Sequence, residues 1–413
     1  MWHRLSVPQL ATLARNFYVP LILSCSCLAA PKYQVLHAFG GEGDGGGLWA
    51  SVAMDKKGNL YGTTSGGGAY GYGSVFKLKH QPGGEWTQKV LHSFQLNDPD
   101  GDEPFSSGVI FDAAGRLYGT TTSGGAYHHG TVFQMTLGPD GWDLSVLYSF
   151  CAEPQCSDGG VPWGPLALDS DRDIFGTAFT AYELSPGPDG WTETVLHEFC
   201  QQCQDGYQPF SGVILDARGN LYGTTEAGGA HGEGIVFKLK RMPDGTWREH
   251  VLHDFPSFSG DGAVPGLGHL VLDSAGNLYG TTFAGGTHRC GNATCGTVFR
   301  LTPKPNGHWK ETILHEFRKI STGYGATGGV TLDQAGNLYG TTIGGGNQCD
   351  CGVIYKLSPN PDGSWTYNVL HNFSGGDGAQ PETNLVLDDE GNLYGTAATG
   401  GPGGAGVVFE LTP

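Results

Sequence analysis

The feature that most constrains this chain is a short motif, Leu-Tyr-Gly-Thr, that recurs along almost its whole length. The motif begins at residues 60, 117, 221, 278, 338 and 393, and the variant Ile-Phe-Gly-Thr at residue 174 fills the one gap. Successive copies lie 47 to 60 residues apart. A length of 413 residues alone would suggest two or three domains, but a repeat of nearly fixed period overrides that expectation.

Each of the seven units contains four short apolar segments separated by turn residues, which is the pattern of a four-stranded antiparallel blade. In the fourth unit these segments are residues 212–216, 220–225, 235–239 and 247–255. The turns read Asp-x-x-Gly-Asn and Pro-Asp-Gly-x-Trp, and both are hairpin signals, because Asp bonds nearby amides and Gly accepts a positive φ. Helical periodicity is absent after residue 30. The sequence therefore predicts an all-β fold, a seven-bladed β-propeller over residues 31–413.

The two ends of the repeat region complete one blade between them. Residues 35–39, Val-Leu-His-Ala-Phe, match the outermost strand of the other units. Residues 408–413 match a third strand that no fourth strand follows. We therefore expect residues 35–39 to pair with residues 407–411 and to close the ring, because closure protects an otherwise unpaired strand edge.

Residues 1–30 have the shape of a secretory signal, with basic residues followed by an apolar run that ends in small residues before Pro31. The run of about 14 residues is too short to span a bilayer comfortably, and no later segment qualifies, so we expect no transmembrane span. These features predict a secreted, periplasmic or cell-surface protein. A lipoprotein anchor on Cys25 is the alternative to free secretion.

Eight cysteines follow that segment, in four close pairs: Cys151 with Cys156, Cys200 with Cys203, Cys290 with Cys295, and Cys349 with Cys351. An even count in an exported protein favours disulfides. The competing interpretation is a metal site, since Cys200 and Cys203 have ligand-like spacing, but neither a second pair nor histidines follow at a matching distance. For Cys349 and Cys351, pairing across loops with Cys290 or Cys295 is an alternative.

The net charge of −18 argues against nucleic acid and anionic lipid as partners, since neither is attracted by an acidic surface. We expect a monomer without a cofactor. The loop of residues 98–103 carries enough carboxylates to raise a structural calcium ion as an alternative.

The repeated words Gly-Asn-Leu-Tyr-Gly-Thr-Thr, Gly-Gly, Gly-Thr-Val-Phe and Val-Leu-His-x-Phe resemble the bacterial GloVer tandem repeat of choice-of-anchor proteins. The resemblance covers essentially all of the chain after residue 30. It implies an exported or surface-attached repeat protein of uncharacterised activity.

Residues that occur in nearly every unit are best explained by the blade itself. Seven aspartates end the innermost strands: Asp55, Asp112, Asp169, Asp216, Asp273, Asp333 and Asp388. A ring of carboxylates could hold a cation, but a shared turn position favours hydrogen bonding within each turn. Six histidines, at 37, 92, 197, 253, 315 and 371, share one outer-strand position and predict packing between blades. Six Asp-Gly pairs predict turns.

Function is sought where the units differ. We expect the residue three positions before the apolar core of each innermost strand to lie at the mouth of the central pocket. In chain order these residues are Trp49, Ser106, Trp163, Phe210, Leu267, Thr327 and Glu382. Aromatic faces beside a carboxylate suit sugar rings or peptide side chains, and we select Trp49, Trp163, Phe210 and Glu382. The alternative is that these rings only plug the channel. Three further candidates lie in a loop on the same face: Tyr127, His128 and His129.

A catalytic site needs an acid and a base, or a nucleophile and its base, within hydrogen-bonding reach, and no motif here ties such a pair together. The sequence therefore predicts no catalytic residue. It favours a non-enzymatic module whose loop-rich face binds carbohydrate or protein. A polysaccharide-directed hydrolase or lyase that uses the central pocket is the alternative.

Overall fold

The computed structural model describes residues 30–40, 43–96, 98–200, 204–256, 260–346 and 349–413. The predicted signal segment therefore lies outside the described residues, apart from Ala30. Residues Pro31–Pro413 form one compact unit. Seven antiparallel sheets of four strands are arranged as the blades of a propeller, which confirms the predicted fold class.

The blades are numbered in chain order, and their strands run from the innermost outward. Blade 1 contains β2 (Ala53–Met54), β3 (Leu60–Thr64), β4 (Ser74–His80) and β5 (Trp86–Ser93). Blade 2 contains β6 (Val109–Phe111), β7 (Leu117–Thr121), β8 (Thr131–Gly138) and β9 (Gly141–Ser149). Blade 3 contains β10 (Ala167–Leu168), β11 (Ile174–Thr177), β12 (Thr180–Gly187) and β13 (Gly190–Glu198). Blade 4 contains β14 (Val213–Leu215), β15 (Leu221–Thr225), β16 (Ile235–Arg241) and β17 (Trp247–Asp254).

Blade 5 contains β19 (Val271–Leu272), β20 (Leu278–Gly285), β23 (Thr297–Pro303) and β24 (Trp309–Glu316), and β18 (Gly262–Pro265) extends it beside β20. Blade 6 contains β25 (Val330–Leu332), β26 (Leu338–Thr342), β27 (Val353–Pro359) and β28 (Trp365–Asn372). Blade 7 contains β29 (Val386–Leu387), β30 (Leu393–Ala397), β31 (Val407–Thr412) and β1 (Lys32–Ala38). A small hairpin, β21 (Arg289–Cys290) with β22 (Ala293–Thr294), lies outside the blades. The described helical segments are single turns, Pro154–Cys156 and α1 (Lys319–Thr322).

The ring closes through β1 and β31, as the sequence predicts. Val35 lies opposite Phe409, and Tyr33 lies opposite Leu411. The register shifts after Val35, so that Leu36 is the extra residue of a β-bulge. A bulge at the corresponding position interrupts every outermost strand. The sequence analysis did not predict this bulge.

The hydrophobic core lies between neighbouring blades. One cluster joins Tyr61 of blade 1 to Leu117 and Phe133 of blade 2, and equivalent clusters join the other neighbours. The Gly of each Leu-Tyr-Gly-Thr motif allows this packing. A Cβ on Gly62 would lie 2.7 Å from the ring of Phe76, a distance that no packed side chain tolerates.

The repeated aspartates hold the turn between the first two strands of each blade. In blade 4, Asp216 Oδ1 accepts hydrogen bonds from the backbone amides of Arg218 and Asn220, at 2.8 and 2.9 Å. Its Oδ2 accepts bonds from Asn220 Nδ2 at 2.7 Å and from the Tyr222 hydroxyl at 3.1 Å. Burial alone would raise the pKa of Asp216, but these hydrogen bonds lower it. The predicted turn role is confirmed, and it explains the Asp, Asn and Tyr of the motif together.

Candidate functional site

One face of the propeller carries the variable loops, and we call it the loop face. The loop between the second and third strands of a blade pairs with the loop that leads into the same blade. These isolated bridges join Gly46 to Gly66, Asp102 to Ser123, Tyr207 to Ala227, Tyr324 to Gly344 and Ala379 to Thr399. Both kinds of loop therefore lie on the same face, and the Asp turns lie on the opposite face, which we call the turn face.

Blade 3 differs from the others on the loop face. Its second and third strands, β11 and β12, are joined by the short turn Ala178 and Phe179. The equivalent connection in blade 1 runs over residues 65–73. Phe179 has a positive φ of 64° and is 41% exposed. The glycine-rich loop is thus missing from blade 3, and an apolar ring is exposed in its place.

A cavity of about 360 Å³ lies in the central channel between the innermost strands. Its wall includes the whole innermost strands of blades 1 and 2, together with residues from the start of blades 3, 5 and 7. Trp49 and Glu382 both line it, together with Ser106, His269 and Asn384. Two of the four predicted pocket residues therefore meet in one cavity.

The remaining two predicted pocket residues belong to a continuous row of rings that starts at Trp49. Trp49 stacks on Phe105 with ring centroids 5.6 Å apart, and Phe105 lies 5.1 Å from Trp163. Trp163 in turn stacks on Phe210 at 4.9 Å. All four side chains are half-buried, so part of each ring is accessible at the start of blades 1 to 4. We call these four residues the aromatic row.

Phe105 was not predicted from the sequence, because Ser106 was assigned to the pocket mouth in its place. Counting back three residues from the apolar core fails in blade 2, where one extra residue stands before Val109. Blade 5 has the same insertion, so Gly266 rather than Leu267 occupies the equivalent position. The proline that precedes Phe105, Trp163 and Phe210 was the signal that would have aligned them.

Glu382 lies in the wall of the same cavity, at the beginning of blade 7. Burial raises the pKa of its carboxyl to about 7. It is the one acidic side chain among the described residues that line this cavity. His269 lines the same wall, and burial lowers the pKa of its imidazole to about 4. At neutral pH the cavity therefore holds a neutral imidazole and a carboxyl that is partly protonated.

The other three predicted binding residues lie elsewhere on the loop face. Tyr127 is 49% exposed, and His128 and His129 are also exposed. The carbonyl of His129 accepts a hydrogen bond from the Val161 amide at 2.8 Å, so this loop contacts the one that leads into blade 3. The structure does not bring these residues to the lining of the channel cavity.

The cysteines form local pairs on loops. Cys151 with Cys156, Cys290 with Cys295, and Cys349 with Cys351 are disulfide-bonded, so the alternative of pairing across loops is wrong for the last two pairs. The fourth predicted pair includes Cys203, which lies outside the described residues. His129 approaches the sulfur atoms of Cys151 and Cys156, but a disulfide offers no thiolate to a metal.

The repeated histidines and the Asp-Gly aspartates, which the sequence analysis treated separately, contact each other. Five pairs have Nε2 to Oδ2 distances of 2.8 to 3.4 Å: His37 with Asp44, His92 with Asp100, His197 with Asp205, His253 with Asp261, and His371 with Asp377. Tyr148 replaces the histidine once and donates a hydrogen bond to Asp158 at 2.7 Å. The pairing of Asp100 with His92 also takes one carboxylate of the loop 98–103, which was considered for calcium.

Fold and repeat together define a propeller of the tandem-repeat class. The chain belongs to the Gloeobacter/Verrucomicrobia repeat family, whose family model matches residues 26–182, 180–294 and 283–413. A search of curated proteins gives no significant match. None of the helices in the described residues has the length and apolar character needed to cross a membrane.

Two solved structures are similar in fold. PorZ, an essential surface component of the type-IX secretion system of Porphyromonas gingivalis, shares 15% identity with a TM-score of 0.41, over 83% of this chain and 44% of PorZ. The chain thus spans less than half the length of PorZ. A putative glucose dehydrogenase of Thermus thermophilus shares 15% identity with a TM-score of 0.40, over 93% of this chain and 100% of that one.

Proposed function

We propose that this chain is an exported, non-enzymatic binding module that holds carbohydrate on the aromatic row at the opening of the central channel. The observation that supports the proposal most is the row itself. Trp49, Phe105, Trp163 and Phe210 present partly accessible rings in continuous contact, next to a cavity whose largely apolar wall carries a few polar side chains. Other blades place Gly266, Thr327 and Glu382 at the equivalent position, so the row is confined to one side of the ring.

The chemistry of the row suits a sugar chain. The apolar face of a pyranose packs against an aromatic ring, while its hydroxyls need hydrogen-bonding partners nearby. The cavity beside Trp49 offers such partners in Glu382 and in Ser106, whose hydroxyl donates to the carbonyl of Trp163 and retains its acceptor capacity. The ring centroids lie about 5 to 6 Å apart along the row, so successive sugar units of one chain can contact neighbouring rings. A peptide ligand would use the same rings, and the experiment below distinguishes the two ligands.

The cavity supports binding better than hydrolysis. Glycoside hydrolysis ordinarily needs two carboxyl groups about 5 to 10 Å apart. Glu382 has the raised pKa of a general acid, but no second carboxylate lines the cavity within the described residues. A polysaccharide hydrolase or lyase that uses Glu382 is therefore the second candidate.

Export is part of the proposal. Three described disulfides on loops fit an oxidising compartment, since cytosolic proteins rarely keep such bonds. The signal-like composition of residues 1–30 agrees with them.

The experiment compares the unaltered protein with the variants Trp163→Ala, Tyr70→Ala and Glu382→Gln on a glycan array and in a reducing-sugar release assay. We expect Trp163→Ala to weaken glycan binding by about tenfold, about 1.4 kcal/mol, because one stacking surface is lost. Tyr70→Ala is the matched control, since Tyr70 is 58% exposed in a loop of the same face and outside the row. We expect no sugar release from any form.

Two results would contradict the proposal. Sugar release that Glu382→Gln abolishes would establish the hydrolase instead. Absence of glycan binding, together with binding of an unstructured peptide library that Trp163→Ala weakens, would replace carbohydrate by protein as the ligand.

A further inference from the structure

At several interfaces between blades, one further side chain contacts the repeated histidine or its aspartate partner. It comes from the outermost strand of the following blade, two residues after the position of the repeated Trp. Across the seven interfaces this position holds Gln88, Leu144, Glu193, Glu249, Glu311, Tyr367 and Tyr33. The chemistry of each interface between blades therefore depends on the side chain at this variable position.

At the interface of blades 4 and 5 the three side chains converge. His253 Nε2 lies 3.4 Å from Asp261 Oδ2 and 3.8 Å from Glu311 Oε2. One ligand atom from each residue lies within 4.8 Å of the other two. The three side chains are only 18%, 16% and 12% exposed, so the cluster is largely shielded from water.

Among the described residues, His253 is the one basic side chain within ion-pair distance of these two carboxyl groups. No Lys or Arg in the described part of the chain forms an ion pair with Asp261 or Glu311. Glu311 Oε1 and His253 Nε2 are buried and have no hydrogen-bond partner among the described residues. Two adjacent carboxylates removed from water are costly unless a positive charge lies between them. A buried imidazole nitrogen without a hydrogen-bond partner that faces two carboxyl groups is therefore suited to a cation.

We propose that a divalent transition-metal ion binds between blades 4 and 5 on His253, Asp261 and Glu311. One imidazole with two carboxylates is a ligand set for Zn²⁺ or Mn²⁺, whereas Ca²⁺ and Mg²⁺ prefer oxygen ligands alone. Ligands about 2.1 Å from a tetrahedral ion lie roughly 3.4 Å from each other, close to the distances in this cluster. The charge of the ion balances the two carboxylates.

At three other interfaces between blades, the third side chain is aromatic or the ligand atoms do not converge, so the proposed metal site is specific to blades 4 and 5. Tyr367 stacks on His315 with ring centroids 3.9 Å apart, and Tyr33 stacks on His371 at 3.8 Å. An aromatic ring thus takes the place of the third ligand at those two interfaces. Blades 3 and 4 carry the same residue types, His197, Asp205 and Glu249, but the described structure does not gather their ligand atoms within 4.8 Å.

The bound ion connects two blades. His253 belongs to β17 at the outer edge of blade 4, and Glu311 belongs to β24 at the outer edge of blade 5. Asp261 lies between them, just before β18. The metal therefore links neighbouring outer strands that otherwise touch only through side chains, and we expect it to stabilise the ring rather than to serve the channel cavity.

The test uses purified mature protein without a histidine tag, first stripped with a chelator. We expect Zn²⁺ to bind with a stoichiometry of one and to raise the thermal unfolding temperature, and Ca²⁺ to do neither. Glu311→Gln should weaken Zn²⁺ binding by at least about tenfold, measured by competition with a chromophoric chelator. Glu249→Gln is the matched control, because it makes the same change at the interface of blades 3 and 4, and should leave the affinity unchanged.

Circular dichroism and the unfolding temperature in chelator show whether Glu311→Gln folds, and His253→Gln is a second variant if it does not. The proposal is overturned if the stripped protein has no saturable Zn²⁺ site. In that case Asp261 and Glu311 share a proton instead. Equal losses of affinity in Glu311→Gln and Glu249→Gln would also overturn the assignment to this interface.

Discussion

The turn face and the loop face of this propeller use the same strands but differ in what their residues do. On the turn face, Asp216 and its six counterparts accept hydrogen bonds from their own turns, and the pattern hardly varies. On the loop face, the equivalent positions hold Trp49 in one blade and Glu382 in another. The difference teaches that repetition marks the residues that build a blade, while a binding site is found among the residues that break the repeat.

The largest effect is expected from a substitution on the turn face. Asp216→Ala removes the acceptor of four hydrogen bonds and leaves buried donors unpaired, so we expect a loss of about 2 to 4 kcal/mol in the free energy of unfolding. Denaturant unfolding followed by fluorescence measures it. Thr327→Ala, at a pocket-mouth position of the loop face, is the comparison. A loss as large for Thr327→Ala would abolish the distinction between the faces.

A smaller effect is expected at a repeated glycine. Gly62→Ala would place a Cβ 2.7 Å from Phe76 in the packed core, and we expect about 1 to 3 kcal/mol of destabilisation. Gly83→Ala is the control, because Gly83 lies in a turn where an added Cβ meets no atom within 4 Å and its φ is not positive. Both variants are measured by thermal unfolding. If Gly62→Ala were as stable as Gly83→Ala, the close packing of blade strands would not explain the motif.

The smallest expected effect is a difference between the two faces in how their contribution to stability depends on pH. The folded-state pKa of Glu382 is raised to about 7 by burial, so its ionisation opposes folding as pH rises through 7. The pKa of Asp216 is lowered, so its stabilising contribution is lost only in acid, as pH falls below the ordinary range of Asp. We expect Glu382→Gln to raise the unfolding temperature by about 2 °C at pH 8.

The gain from Glu382→Gln should disappear below about pH 4.5, where the carboxyl is protonated in both the folded and the unfolded chain. Differential scanning fluorimetry between about pH 4 and pH 8 compares the variant with the unaltered protein. A gain that is independent of pH would show that the carboxyl of Glu382 is solvated rather than buried.

Much of the fold could be predicted from the sequence because the information was repeated seven times. Alternating apolar residues, turn residues at fixed offsets and the matching ends were enough to predict the blades and the pairing of residues 35–39 with residues 407–411. The bulge at Leu36 was not predicted, since an unpaired residue leaves the apolar pattern of a strand unchanged.

The candidate site could be predicted only in part. Trp49 and Glu382 do line one cavity, but the link through Phe105 depends on a one-residue insertion that counting could not detect without the neighbouring proline. The contact of His253 with Asp261 and Glu311 joins residues of two blades. Such a contact depends on how blades are placed side by side, which no pattern within a single unit records.

The closure of the ring by β1 and β31 has a consequence for how the molecule forms. Strand β1 precedes blades 1 to 6 in the chain and its partner β31 follows them, so blade 7 is completed only when segments on either side of the other six blades meet. Contacts between residues so far apart in sequence form slowly, because a very long loop must be closed first. Until β1 pairs with β31, the outer edge of β31 remains open to wrong partners.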